Sequence, residues 1–405
     1  AGEWPDPLVP LNAFHLPANR THALWIDCYV PANAPAGEYR GTLTVQVSGR
    51  RLLQIPLKVT VWDFAIPERS HLRIVYDLRS GPGWDVTAGE DPETLKRWYR
   101  LMAEHRVNPD VVLPMPEFRY ENGRVVMDAS RFEPMARYAF EDLGFNHCYT
   151  PWLFYALGWA YPLPPKFGLS PRTPEYEEAL QEAYRLLVDF FTRRGWRDRL
   201  VFYLSDEPFL NNPQVVDDLR YYIGVVKPVA PDVPVFSSTW YHSPAMDGYL
   251  TMWGIGQHGS FPVEKMRERR AAGDRLLFTT DGQQCLDTPY LATERLLPLY
   301  CFVYDVEGYE FWGFSWWTYN PWQKGWHRYI SQSDQGQEYY WIRYPNGDGY
   351  IAYPGEPVGS NEPLPSIRLK AVREGAEDYE YYLLWKQAVE RARQAGKDVS
   401  AAGTL

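Results

Sequence analysis

The fold is indicated most clearly by the stretch LVFYLSDEP at residues 200–208. Its first five residues are apolar or aromatic and predict a buried β-strand, which ends at the polar residues that follow. Asn212-Pro213 comes next and predicts a helix start, because a polar cap accepts a free amide and proline presets the backbone angle. A buried strand that leads into a capped helix is the repeating unit of parallel α/β folds.

Seven similar strands are predicted on either side of this stretch. With it, they lie at residues 72–77, 110–113, 145–149, 200–205, 233–238, 249–253, 275–280 and 309–316. The predicted helix starts and stops between them include Asp91-Pro92, Thr173-Pro174, Asn212-Pro213, Gly144, Gly195, Gly273 and Gly308. About ten residues separate the fifth and sixth strands, which is too few for a helix. This alternation predicts an α/β fold, namely a (β/α)8 barrel of the TIM type.

The regions outside the strand and helix alternation define the predicted domains. Residues 1–68 contain predicted strands at 24–30, 39–47 and 52–64, which indicate a small N-terminal β-sandwich-like domain or part of one. The catalytic barrel is expected at 69–396, with a C-terminal tail at 397–405. A long insertion at 320–365 follows the eighth strand and precedes a helix from 367 to about 395. Because it is a βα loop, it should lie on the face where barrel enzymes keep their active sites.

Composition and charge exclude several classes of partner. The chain has 41 Lys and Arg against 51 Asp and Glu, and the net charge of −10 opposes binding to nucleic acid. The longest apolar run, at 296–304, has nine residues and contains Pro298, whereas a membrane span requires roughly 20 residues. We therefore expect a soluble protein, cytoplasmic or secreted. The sequence leaves its oligomeric state open.

No metal or other cofactor is expected. The four cysteines are scattered without the spacing of metal ligands. Residues 254–259, GIGQHG, match the pattern G-x-G-x-x-G, but Pro262 follows before a helix can form. A dinucleotide site needs that pattern to run directly into a helix, so this match predicts no nucleotide cofactor.

Asp206 and Glu207 form the strongest candidate for a catalytic site. They end the fourth predicted strand, and Pro208 is expected to hold Glu207 extended while the chain turns, so that both side chains reach the barrel mouth. Two carboxyl groups so close cannot both ionise freely, and a proton retained near neutral pH is what a general acid requires. The structural alternative is that Asp206 caps the next segment and Glu207 is merely solvated.

An acid at a strand end in an aromatic-rich barrel favours glycoside hydrolysis. In one mechanism the sugar's own 2-acetamido oxygen attacks C1, and adjacent acids then suit two tasks: Asp206 orients the acetamido group while Glu207 protonates the leaving oxygen. In the first alternative, Glu207 pairs with Asp281, from the end of the seventh strand, as nucleophile of a two-carboxylate retaining glycosidase. The second alternative is a non-catalytic glycan-binding protein.

Four motifs resemble glycoside hydrolase family 123. They are PAGEYRGTL at 35–43, SDEP at 205–208, the aromatic run ending YNPW at 319–322, and the helix sequence at 366–381. That family comprises β-N-acetylgalactosaminidases with an N-terminal β-sandwich and a (β/α)8 domain. The resemblance implies an exo-acting retaining β-N-acetylhexosaminidase, with galactosaminides favoured, that forms an oxazoline. It also implies that Asp206 orients the acetamido group and that Glu207 is the general acid.

Other candidate contacts to a carbohydrate substrate follow the ends of predicted strands. They are Arg79, Trp240, Tyr241, His242, Gln257, His258, Asp281, Trp316, Trp317, Tyr319, Asn320 and Trp322. Arg79 would grip sugar hydroxyls through its planar guanidinium group, or else form a surface ion pair. Each aromatic residue is either a platform for a sugar ring or part of the packing. No nearby His/Glu spacing completes a metal site, so His242 and His258 are interpreted as hydrogen-bonding groups.

Overall fold

A computed structural model describes residues 5–10, 14–15, 17–78, 91–256, 261–280, 291–317, 320–322, 328–332, 338–343 and 347–402. The chain divides into two compact units. The smaller unit is Pro10–Glu68, and the larger comprises Ala1–Val9 with Arg69–Leu405.

The smaller unit contains a two-stranded antiparallel sheet, Gly37–Val47 with Arg50–Val61. Its turn residues Ser48 and Gly49 both have positive φ, as tight hairpins of this twist require. The register places apolar residues opposite one another on one face and polar residues on the other. The strand predicted at 24–30 is not formed, and its Tyr29 is 88% exposed; no strand pairs with this stretch among the described residues. A β-sandwich therefore stays a prediction.

The main sheet of the larger unit includes the short strand Leu157–Gly158 and eight parallel strands that form the barrel. They are β1 (Arg73–Tyr76), β2 (Asn108–Pro109), β3 (Cys148–Tyr149), β4 (Leu200–Asp206), β5 (Val235–Thr239), β6 (Met252–Ile255), β7 (Arg275–Thr280) and β8 (Gly308–Phe311). Their order is β2-β1-β8-β7-β6-β5-β4-β3, so the ends of the sheet are neighbours in a barrel. At that seam the Tyr149 N–H donates to the Asp110 carbonyl over 2.7 Å. The sheet is a nearly closed eight-stranded barrel, as predicted.

Seven helices surround or adjoin the strands among the described residues. They are α1 (Pro92–Glu104), α2 (Phe132–Arg137), α3 (Pro174–Arg193), α4 (Pro213–Val226), α5 (Val263–Ala271), α6 (Ala292–Tyr304) and α7 (Ile367–Gln394). The side chains of Asp91, Thr173 and Asn212 cap α1, α3 and α4 as predicted. Only a 3-10 turn, Pro244–Met246, lies between β5 and β6.

The predicted helix stop at Gly308 is wrong. Helix α6 ends at Tyr304, where Asp305 adopts a left-handed conformation with φ of 55°, and Gly308 is the first residue of β8. A Cβ at position 308 would lie 1.8 Å from the Arg73 carbonyl oxygen. Glycine is needed there because the backbone of β8 approaches β1 closely, not because a helix ends.

Three short antiparallel strand pairs lie outside the barrel sheet in the described part of the larger unit. They are Glu117–Glu121 with Arg124–Asp128, Arg328–Gln332 with Glu338–Arg343, and Ala352–Tyr353 with Leu364–Pro365. The last two belong to the insertion between β8 and α7. Beside it, the fully buried Arg368 donates to Asp6 over 2.9 Å and to the Gly347 carbonyl over 2.8 Å. Residues around Asp6 thus pack with α7, although the sequence grouped them with the N-terminal domain.

None of the helices in the described ranges combines the length and the apolar character needed to cross a bilayer.

Candidate active site

The chain turns sharply at Glu207, directly after β4. Its φ of 45° lies in the left-handed region, which residues other than glycine seldom occupy. The expectation that Pro208 keeps Glu207 extended is therefore wrong. The Glu207 N–H donates to the Ser238 carbonyl over 3.2 Å, and this contact ties the turn to β5. Backbone strain of this kind is concentrated at functional sites.

Asp206 is exposed at the C-terminal end of β4. Its carboxylate accepts a hydrogen bond from the Ser238 hydroxyl over 2.6 Å, and Ser238 is its register partner on β5. The Asp206 N–H donates to the Tyr155 hydroxyl oxygen over 3.2 Å. Neighbouring strand ends thus hold Asp206 in place while leaving its side chain accessible from the barrel mouth.

Trp159 contacts both acidic residues. Its indole N–H donates to the Glu207 carboxylate over 3.4 Å, and its backbone N–H donates to the Asp206 carbonyl over 3.2 Å. The preceding short strand, Leu157–Gly158, pairs with the end of β4. A Cβ at Gly158 would lie 2.7 Å from the Tyr155 hydroxyl oxygen, so glycine allows this close approach. Trp159 is thus bonded to the backbone of Asp206 and to the side chain of Glu207.

Burial and the charges of Asp206 and Glu207 raise the pKa of Tyr155 well above its usual value. Its hydroxyl stays protonated across the physiological range and is a hydrogen-bond donor beside the acid pair. Tyr155 is also in ring contact with Trp152 and Tyr203, at centroid distances of 5.9 and 5.6 Å.

Exposed aromatic side chains lie on the two loops that carry Trp159 and Glu207. Trp152 is 39% exposed, Phe209 is 44% exposed and Tyr161 is 63% exposed, and Tyr161 stacks on Trp159 at 6.3 Å. These residues follow β3 and β4, so the strand-end rule that singled out Trp240 and Trp316 applies equally to them. The sequence analysis missed Trp152, Tyr155, Trp159, Tyr161 and Phe209.

The candidates after β5 differ in accessibility. Trp240 is 38% exposed and stays a candidate sugar contact, and Tyr241 is half-buried. His242 pairs with Asp247 over 2.8 Å and packs against the Trp253 ring at 5.3 Å. Only 7% of the His242 side chain is exposed, so its surroundings are those of a packed structural network.

Most of the described candidate sugar contacts after β8 are bonded to other parts of the chain or packed against them. Trp317 is 2% exposed, donates to the Ala352 carbonyl over 3.1 Å and packs on Trp98, so we do not retain it as a sugar contact. The Trp322 indole donates to the Pro354 carbonyl over 3.0 Å, and Asn320 accepts the Trp322 N–H over 2.9 Å. These contacts join the start of the insertion to its later part. Trp316 is half-buried against Trp312 and stays a candidate.

Five candidates lie outside the described residues, namely Arg79, Gln257, His258, Asp281 and Tyr319. Their roles stay predictions, as does the pairing of Glu207 with Asp281. Within the described part of the chain, His, Cys, Asp and Glu side chains form no group of three that could hold a metal ion.

A nearly closed parallel barrel with two acidic residues at the end of its fourth strand, and exposed aromatic side chains on the adjoining loops, has features of a glycoside hydrolase. The model of the glycoside hydrolase 123 catalytic domain matches residues 164–384, more than half of the chain. The chain belongs to glycoside hydrolase family 123.

Comparison with solved structures gives a superposition that agrees with this fold. A family 123 glycoside hydrolase from Clostridium perfringens, described for glycolipid glycan hydrolysis, superposes with a TM-score of 0.58 at 15% identity, over 90% of this chain and 68% of that one. A family 39 glycoside hydrolase from Bacteroides cellulosilyticus gives a TM-score of 0.45 at 14% identity, over 85% of this chain and 71% of that one. Comparison with curated proteins gave no match.

Proposed function

We propose that this glycoside hydrolase is an exo-acting retaining β-N-acetylhexosaminidase, with N-acetylgalactosaminides preferred, and that it uses substrate-assisted catalysis. The observation that carries the proposal is the shared position of Asp206 and Glu207. Asp206 is the last residue of β4 and Glu207 is the next residue. Trp159 donates to the backbone carbonyl of Asp206 and to the carboxyl group of Glu207. In a two-carboxylate glycosidase the acids flank the scissile bond. Two successive acidic residues at one strand end fit a division of tasks in which the substrate supplies the nucleophile.

The two acids act in sequence on one sugar. Asp206 accepts the acetamido N–H and stabilises the positive charge that develops on this group as its oxygen attacks C1. Glu207 donates a proton to the glycosidic oxygen as the bond from C1 breaks, which leaves an oxazolinium ion and the free aglycone. Glu207, now a carboxylate, then accepts a proton from the water that attacks C1 and opens the ring. Two displacements at C1 give net retention.

The surroundings of the pair support these tasks. The Ser238 hydroxyl fixes one oxygen of Asp206, so the carboxylate is positioned before substrate arrives. The protonated hydroxyl of Tyr155 supplies a further donor for an oxygen of the substrate. The indole of Trp159 directs the Glu207 carboxyl group.

The exposed aromatic surface favours a glycan as the aglycone. Trp152, Tyr161 and Phe209 present flat apolar faces beside the acids, and such faces suit sugar rings. The related family 123 enzyme from Clostridium perfringens is described for glycolipid glycan hydrolysis. We therefore propose a terminal N-acetylhexosaminide of a glycoconjugate as the substrate class.

A panel of aryl glycosides tests this function. The chain should hydrolyse the N-acetyl-β-galactosaminide fastest, the N-acetyl-β-glucosaminide more slowly and the β-galactoside not at all, with the β-anomer released first. Equal turnover of the galactoside would favour the Glu207 and Asp281 mechanism, because that mechanism needs no acetamido group. Saturable binding of the sugars without hydrolysis would favour the glycan-binding alternative.

A further inference from the structure

A third acidic residue, Glu310, lies inside the barrel. It is the third residue of β8 and is 7% exposed. The Tyr149 hydroxyl donates to one carboxyl oxygen over 2.6 Å, and the Thr279 hydroxyl donates to the other over 3.0 Å. Tyr149 ends β3 and Thr279 lies on β7, so these two hydrogen bonds join Glu310 to its neighbour in the sheet and to a strand across the barrel.

A stack of aromatic rings extends from Glu310 towards the acid pair. The Tyr149 ring lies nearly parallel to that of Tyr203, with centroids 4.6 Å apart and an interplanar angle of 25°. Tyr203 contacts Tyr155 at 5.6 Å, and the Tyr155 hydroxyl accepts the Asp206 N–H. The three rings are packed on one another and the last contact reaches the Asp206 backbone, so a displacement of Tyr149 would be passed on to Asp206.

The groups that face Glu310 favour its neutral form. Burial raises its pKa to about 8, the negative charges of Asp206 and Asp110 act in the same direction, and the hydrogen bonds from Tyr149 and Thr279 oppose them. Burial raises the pKa of each of the three phenols in the stack, Tyr149, Tyr203 and Tyr155, well above its usual value. The buried His147 packs against Tyr149 at 4.4 Å, and burial lowers its pKa, so it too is uncharged near pH 7. Near pH 7 the interior therefore holds a protonated carboxyl group below the exposed Asp206.

We propose that Glu310 is a positioning residue for the hydrolysis: as a neutral acid it fixes the ring stack of Tyr149 and Tyr203 under Asp206, and its ionisation disturbs that support. The proposal rests on the proposed function, because Asp206 is the group that it positions. Because Glu310 holds its proton, it adds no further negative charge to the buried side of Asp206. When Glu310 ionises, a second negative charge appears in a buried place next to the first, and the stack must adjust.

Three variants test the proposal. The substrate is an aryl hexosaminide whose leaving group needs little protonation, so the protonation state of Glu207 has little effect on the measured rate. For the wild type, kcat/KM should fall as the pH rises through about 8, because the free enzyme loses the Glu310 proton there. Glu310→Gln keeps the shape and cannot ionise, so its profile should stay flat over this range. Glu310→Ala removes the support, and kcat should fall at least roughly tenfold at pH 7, with little change in KM.

The Tyr149→Phe variant should shift the pH profile and so tests the proposal independently. It keeps the ring but removes a hydrogen bond that lowers the pKa of Glu310, so the alkaline fall should move to higher pH. An unchanged alkaline fall in Glu310→Gln, or a wild-type kcat for Glu310→Ala, would overturn the proposal. A merely structural role would lower activity in the variants without removing the pH dependence.

Unfolding by denaturant tests the protonation of Glu310 separately from the proposed hydrolysis of hexosaminides. Unfolded glutamate ionises near its ordinary pKa of 4.5, whereas Glu310 in the folded protein ionises near 8. The folded state therefore binds the extra proton between these values, and the wild type should lose free energy of unfolding relative to Glu310→Gln as the pH rises from 5 to about 8. A constant difference would contradict a protonated Glu310. If this pH dependence appears while no hexosaminide is hydrolysed, the proposed function has failed and the protonation of Glu310 has not.

Discussion

Asp206 at the barrel mouth and Glu310 in the barrel interior accept similar hydrogen bonds in different surroundings. Asp206 accepts from the Ser238 hydroxyl, and Glu310 accepts from the hydroxyls of Tyr149 and Thr279. Asp206 is exposed, whereas burial raises the pKa of Glu310 to about 8. Burial outweighs the hydrogen bonds from Tyr149 and Thr279, which by themselves would lower the pKa of Glu310. In the proposed mechanism, the mouth and the interior of one barrel give carboxyl groups different tasks.

The largest effect is expected when the mouth loses its orienting anion. Asp206→Asn should lower kcat by roughly a thousandfold on every leaving group, because the charge that stabilises ring closure is lost. Steady-state kinetics with a poor and a good leaving group would measure this. Asp217→Asn, at an exposed ion pair with Arg172, is the matched control and should retain wild-type rates. Near-normal turnover by the Asp206 variant would refute its assignment.

The second acid of the pair should show a dependence on the leaving group. Glu207→Gln should reduce kcat roughly a hundredfold for an unactivated glycoside, since general acid catalysis is lost. A dinitrophenyl glycoside needs little protonation and should be cleaved at close to the wild-type rate of its first step. A uniform loss with both substrates would show that Glu207 is not the proton donor.

A smaller effect should follow from loosening Asp206 without removing it. Ser238→Ala deletes the hydroxyl that donates to Asp206, and kcat should fall roughly tenfold, as for a lost hydrogen bond to a charged group. The control is Ser237→Ala, one residue earlier on β5, whose hydroxyl bonds to Ser205 instead. Equal losses in both variants would indicate a general effect on packing.

The smallest effect concerns the aromatic surface around the mouth. Tyr161→Ala should raise KM for a disaccharide or longer glycan by about threefold, because a stacking contact is lost, and should leave the aryl monosaccharide unaffected. Tyr300→Ala, at an exposed tyrosine of α6, is the control and should change neither value. The same rise in KM for both substrates would place Tyr161 away from the aglycone.

The barrel was predictable because its strands and helix caps carry local signals. Asp91, Thr173 and Asn212 begin helices for reasons that lie within a few residues, and the acid pair is recognisable at a strand end. Gly308 was misread because glycine serves helix ends and close strand contacts alike, and only the position of Arg73 distinguishes them. Local sequence does not report such distant neighbours.

The sequence analysis missed Glu310 and the aromatic residues after β3 and β4 for a related reason. Glu310 is the only charged residue in the buried strand Gly308–Phe311. That isolated charge was the signal by which the sequence could have indicated it. The aromatic residues after β8 drew attention by their density, yet Trp317 and Trp322 bond to the insertion. Whether an aromatic ring packs or stays exposed depends on what the rest of the chain places upon it, which residue type alone does not reveal.

The central claim is that the sugar supplies its own nucleophile, and an N-trifluoroacetyl substrate tests it most directly. Fluorine withdraws electrons from the amide oxygen, so kcat relative to the N-acetyl substrate should fall by more than about tenfold if that oxygen attacks C1. Equal rates for the two aryl glycosides would contradict the account, because a nucleophilic side chain would not sense the substitution.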